Sequence, residues 1–102
     1  MSKYGAKKTI VDGITFDSRK EARRYGELKM MERANQITNL ELQPRFPLRV
    51  NEALVCTYIA DFAYFDRNKR VIEDAKGFRT RDYSIKRKLL LALNPGIDHR
   101  EI

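Results

Sequence analysis

The order of apolar and polar residues divides the chain into short alternating runs and two longer periodic ones. Thr9-Ile10-Val11 and Ile14-Thr15-Phe16 flank Asp12-Gly13, a pair that predicts a tight β-hairpin because Gly accepts the positive φ of such a turn. A helix is expected over residues 19–34. With about 100° per residue and Glu21 set at zero, Tyr25 falls near 40°, Leu28 near 340° and Met31 near 280°, so Glu21 lies within the apolar face. Residues 37–50 alternate at Leu40/Leu42 and Phe46/Leu48/Val50, the period of half-buried strands. Pro44 and Pro47 remove ladder donors there, which predicts an edge strand or two short strands broken by a bend.

After a loop at Asn51-Glu52-Ala53, residues 55–65 read as one long strand, and Val71-Ile72-Glu73-Asp74-Ala75-Lys76-Gly77 as its partner. The polar tetrad Asp66-Arg67-Asn68-Lys69 between them has the composition of a hairpin turn. Tyr58, Phe62, Tyr64 and Phe65 are expected to pack in the core or an interface, as strand aromatics usually do. A second helix is expected over residues 83–93, with Lys86, Arg87 and Lys88 at its cationic end and Leu89 to Leu93 buried, closed by Asn94-Pro95-Gly96. Residues 97–102 supply a possible last strand, on which His99 is read as a surface residue. The fold class is therefore α/β, a mixed sheet flanked by two helices behind an N-terminal β-hairpin. Its 102 residues form a single domain with a thin core that dimerisation would extend.

The hairpin register turns this pattern into chemistry. If Arg67-Asn68 is a two-residue loop, Asp66 pairs with Lys69, and counting back sets Asp61 opposite Asp74. Directly opposed side chains have Cβ atoms roughly 4.5–5.5 Å apart, and like charges so placed oppose folding unless neutralised. Alternation puts Ile72, Asp74 and Lys76 on one face and Val71, Glu73 and Ala75 on the other. Two carboxylates beside an ammonium suit a hard cation and phosphodiester hydrolysis. Glu73 becomes the acidic partner if the register differs by one residue. Glu21 has two readings. It either caps its own helix in the box Ser18-x-x-Glu21, or it supplies a carboxylate aimed inward at a metal centre.

A formal charge of +7 favours a polyanionic partner, with nucleic acid ahead of a membrane surface. Arg79 and Arg81 follow the second strand of the hairpin, where a substrate phosphate would lie, and Lys20, Arg23, Lys86 and Arg87 are further candidates for DNA contact. Residues 1–8 read as a basic flexible tail. The apolar runs are far shorter than a membrane span and no signal peptide is visible, so a cytoplasmic protein is expected. A single cysteine, Cys56, fits a reducing compartment. With His99 the one histidine, a His/Cys zinc site cannot be assembled from one chain.

Asp61, a short hairpin and Asp74-Ala75-Lys76 resemble the PD-(D/E)XK nuclease signature, here without its Pro because Ala60 precedes Asp61. The chain as a whole resembles a family of short phage and prophage proteins of that superfamily. The matching stretches are Val11-Asp12-Gly13-Ile14-Thr15-Phe16-Asp17-Ser18, Lys20-Glu21-Ala22-Arg23-Arg24-Tyr25, Leu40-Glu41-Leu42-Gln43-Pro44, Tyr58-Ile59-Ala60-Asp61-Phe62 and Glu73-Asp74-Ala75-Lys76-Gly77. The resemblance implies a restriction-endonuclease-like sheet and Mg²⁺ or Mn²⁺ held by Glu21, Asp61, Asp74 and the Ala75 carbonyl. It further implies that Lys76 orients or activates the attacking water, and that Gln43 supports the site. The substrate it suggests is branched DNA cut by a homodimer, as by Holliday junction resolvases. Cleavage of duplex or single-stranded DNA during packaging or recombination is the alternative enzyme. A non-catalytic DNA-binding protein, its carboxylates tied up in salt bridges, is the alternative of another class.

Overall fold

A computed structural model describes residues 8–75 and 79–102. The N-terminal hairpin forms as expected. Strands β1 (Thr9–Val11) and β2 (Ile14–Phe16) pair antiparallel with Val11 opposite Ile14. Asp12 and Gly13 turn between them at φ 53° and 74°, the left-handed pair that matches the twist of a two-residue hairpin.

Helix α1 (Arg19–Arg33) starts at Ser18, whose Oγ accepts the Glu21 amide at 3.1 Å. It ends one residue earlier than expected, with Ala34 as its cap. Glu21, Ala22, Tyr25 and Leu28 are its buried residues; of the stripe read from the helical period, Glu21, Tyr25 and Leu28 are buried and Met31 is half-buried.

The chain then builds a bent double layer. Strands β3 (Thr38–Leu42) and β4 (Arg45–Val50) are separated at Gln43-Pro44, where Gln43 takes φ 49° and Pro44 brings no N–H. Opposite that break, residues 55–65 are not one strand. They divide at Ala60-Asp61 into β5 (Ala53–Ile59), which pairs with β4, and β6 (Phe62–Asp66), which pairs with β3. The correction has a local cause. Ladder pairing stops at Leu42↔Phe62 and resumes at Arg45↔Ile59. In the gap, the Gln43 amide donates to the Asp61 carbonyl at 2.9 Å and the Ala60 amide to the Pro44 carbonyl at 3.2 Å. Both chains bend together and pass from one sheet to the next.

Strand β7 (Lys69–Asp74) follows the two-residue turn with Asp66 opposite Lys69 and Phe62 opposite Glu73, the expected register. Helix α2 (Arg81–Leu93) begins two residues before the expected start because Thr80 caps it, accepting the Tyr83 amide at 3.0 Å. Strand β8 (Asp98–Glu101) then lies parallel to β7. The central sheet has the order β3-β6-β7-β8, mixed as anticipated, with the α2 crossover that a parallel pair requires.

Each face of this sheet is packed. Phe62, Tyr64 and Val71 meet Phe16, Tyr25, Leu28 and Ile37 on the α1 side. Ala63 and Ile72 meet Leu48, Tyr58, Ala60 and Leu90 on the side of α2 and the β4–β5 ribbon. Phe65 is half-buried rather than core, with the Arg70 guanidinium 4.9 Å from its ring centre. Of the apolar run in α2, Leu90 is fully buried while Leu93 stays exposed, since one helix cannot turn five consecutive side chains toward one face. No helix among the described residues is long and apolar enough to cross a membrane.

Candidate functional site

Alternation along β7 sends two consecutive carboxylates to opposite sides of the sheet, and both are fully buried. Glu73 points to the α1 side. Arg24 grips it with Nε on Oε1 and Nη2 on Oε2, both at 2.7 Å, and the Tyr64 hydroxyl also donates to Oε2. Glu73 in turn raises the pKa of Arg24, and burial followed by the Glu73 bond pushes Tyr64 up to about 12. The unshifted register removes the condition under which Glu73 would replace Asp74. Its carboxylate belongs to a planar ion pair in the other half of the core.

Asp74 points to the α2 side, and Asp61 meets it at the end of the sheet. The Asp61 amide donates to Asp74 Oδ1 at 3.2 Å, and the Ala75 amide donates to Asp61 Oδ2 at 2.6 Å. The Asp61 amide lies also 3.2 Å from the Glu73 carbonyl. Asp61 and Asp74, expected opposite one another from hairpin counting, are thus in contact, with the Asp74 carboxylate accepting the Asp61 amide and the Asp61 carboxylate accepting the Ala75 amide. Gln43 joins through its backbone, by its amide bond to the Asp61 carbonyl, while its residue as a whole is exposed.

Two further side chains among the described residues adjoin Asp74, and neither was anticipated in this role. The Tyr58 hydroxyl donates to Oδ2, and His99 Nε2 lies 2.9 Å from the same oxygen. Arg87 Nε donates to His99 Nδ1 at 3.1 Å. A guanidinium can only donate, so Nδ1 is the acceptor and the network assigns the ring proton to Nε2, facing Asp74. His99 is therefore not a surface residue. Its side chain is 1% exposed, because β8 inserts beside β7 with His99 opposite Ile72. Burial, then the bond to Asp74, raises the pKa of Tyr58 and keeps the phenol protonated as a donor. Tyr83 leans on both rings, 6.2 Å from Tyr58 and 6.4 Å from His99 between centres, and donates to Glu101 at 2.8 Å.

Glu21 is buried in the first turn of α1, its amide held by Ser18. Lys76 lies outside the described residues. Among the described residues, no group of three or more Asp, Glu, His or Cys side chains is arranged to hold a metal ion. The two carboxylates are of the kind that fits a hard cation, while the Ala75 main chain meets them through its amide N–H, as a donor to Asp61. Lys20, Arg23, Arg79 and Arg81 are exposed, whereas Lys86 and Arg87 are half-buried. Arg79 pairs with Glu101, and Arg87 turns its Nε inward onto His99. Beside them, a cleft of about 240 Å³ between β5 and α2 is lined by residues including Thr57, Tyr58, Thr80, Tyr83 and Lys86.

Over residues 1–97 the chain matches the model of the family described as "Protein of unknown function (DUF1064)", and it belongs to that family. No curated protein matches it. No solved structure does either.

Proposed function

We propose that this DUF1064 chain is a metal-dependent DNA endonuclease that hydrolyses phosphodiester bonds, with branched DNA of the four-way-junction kind as its substrate. The observation that carries the reading is the meeting of Asp61 and Asp74 across the end of the β6–β7 hairpin, one residue before Ala75 and two before Lys76. Asp61, Asp74 and the Ala75 carbonyl would hold Mg²⁺ or Mn²⁺, with Glu21 as the third carboxylate. The ion, when bound, polarises the scissile phosphate and supplies a nucleophilic water. Lys76 would orient that water or stabilise charge beside it, and the exposed Lys20, Arg23, Arg79 and Arg81 would steer the DNA backbone. The +7 net charge supports a polyanionic partner. Two cuts in a symmetric junction call for a homodimer, working in the cytoplasm of a bacterium that carries the phage or prophage gene.

The test is nicking of a four-way junction, a matched linear duplex and a single strand in Mg²⁺ or Mn²⁺. Preferential cutting of the junction, lost in Asp74→Asn and in Lys76→Ala while DNA binding persists, is the expected result. Equal cutting of all three substrates removes the resolvase assignment and leaves a less selective nuclease of recombination or packaging. Salt-sensitive binding with no cutting of any substrate removes the enzyme altogether and leaves a DNA-binding protein.

A further inference from the structure

Asp74 sits in a cage that its own strand does not supply. One wall comes from β5, as Tyr58, 2% exposed. Another comes from β8, as His99, whose imidazole lies edge-on to the Tyr58 ring at 78° with centres 6.0 Å apart. The Tyr58 oxygen and His99 Nε2 are also 2.8 Å from each other, so the two donors and Asp74 Oδ2 form a closed triangle. Arg87 fixes the imidazole from behind through Nδ1. Three elements, β5, α2 and β8, are thereby committed to the orientation of one carboxylate oxygen.

We infer that Tyr58 and His99 are positioning residues that lock Asp74 Oδ2, and with it the direction of the whole carboxylate, whose Oδ1 accepts the Asp61 amide; this rests on the nuclease reading above. Neither side chain is exposed enough to touch DNA. Their effect must pass through Asp74. Donors standing behind a ligating carboxylate fix its direction, and their loss typically weakens metal affinity by about 10- to 100-fold. Arg87 acts one bond further back, which gives this cation a role besides DNA contact.

The test is Mn²⁺ affinity of the full chain, read from the electron paramagnetic resonance of free Mn²⁺, alongside junction affinity in EDTA and the split between kcat and KM. Tyr58→Phe and His99→Leu are expected to weaken Mn²⁺ binding by about 10-fold or more, to leave junction affinity in EDTA unchanged, and to lower kcat rather than raise KM. His99→Gln keeps a donor N–H and is expected to recover most of the loss. Should His99→Leu fail to fold, Tyr58→Phe, which removes one hydroxyl, carries the decision. Folded variants that bind Mn²⁺ as tightly as the parent overturn the positioning role and leave the nuclease reading standing. A parent chain whose Mn²⁺ binding does not differ from that of Asp74→Asn overturns both.

Discussion

Glu73 and Asp74 are neighbours on one strand, equally buried, yet the two sides of the sheet treat them differently. On the α1 side, a guanidinium opposes Glu73 with two parallel bonds, a geometry that neutralises charge and leaves little to rearrange. On the α2 side, a phenol, an imidazole and a main-chain amide surround Asp74. Neutral donors of this kind set direction more than they cancel charge. The contrast separates a carboxylate that closes the core from one held in a fixed pose at the rim of the sheet, next to Asp61. Burial alone would have ranked them the same.

The largest effect is expected on the ion-pair side. Arg24→Ala strands a buried charge and should cost about 3–5 kcal/mol in urea denaturation at neutral pH, with the double change Arg24→Leu, Glu73→Leu recovering most of it. A cost equal to that of a surface substitution would erase the distinction. Asp74→Asn keeps the shape and is expected to cost less, about 1–3 kcal/mol, and on the proposed nuclease function it abolishes Mg²⁺-dependent nicking. If it destabilised more than Arg24→Ala, Asp74 would be the structural residue of the pair.

The smallest effect sharpens the comparison through pH. Tyr64→Phe removes one bond to Glu73 and should cost about 1 kcal/mol. The fold raises the Tyr64 pKa from 10.0 to about 12, so its contribution is complete below pH 10 and is lost as pH rises through about 12. The variant should therefore lose less stability than the parent over that interval, as read by denaturant midpoints at successive alkaline pH values. A parallel loss in both proteins would show that the phenol does not depend on its buried neighbour.

How legible each part was in the sequence follows from the distance over which its cause acts. The Asp12-Gly13 turn, the Ser18 cap and the Asp66↔Lys69 register depend on neighbours within a few residues, and each could be read in advance. From that register alone the meeting of Asp61 with Asp74 followed. The break at Ala60-Asp61 was hidden because residues 55–65 look uniformly strand-like, and the bend is imposed from the facing chain at Pro44. Arg24 and Glu73 stand 49 positions apart, His99 and Asp74 25. No local period announces such partners. A lone histidine in a short polar segment has the composition of surface, and its burial is decided by the parallel pairing of β8.

That pairing also makes the surroundings of Asp74 depend on a segment of chain beyond α2. Tyr58, Asp61 and Asp74 precede α2 in the chain, whereas the imidazole beside them follows the whole of that helix, on β8. Without β8, β7 would be an open edge of the central sheet and Asp74 would lack its imidazole neighbour.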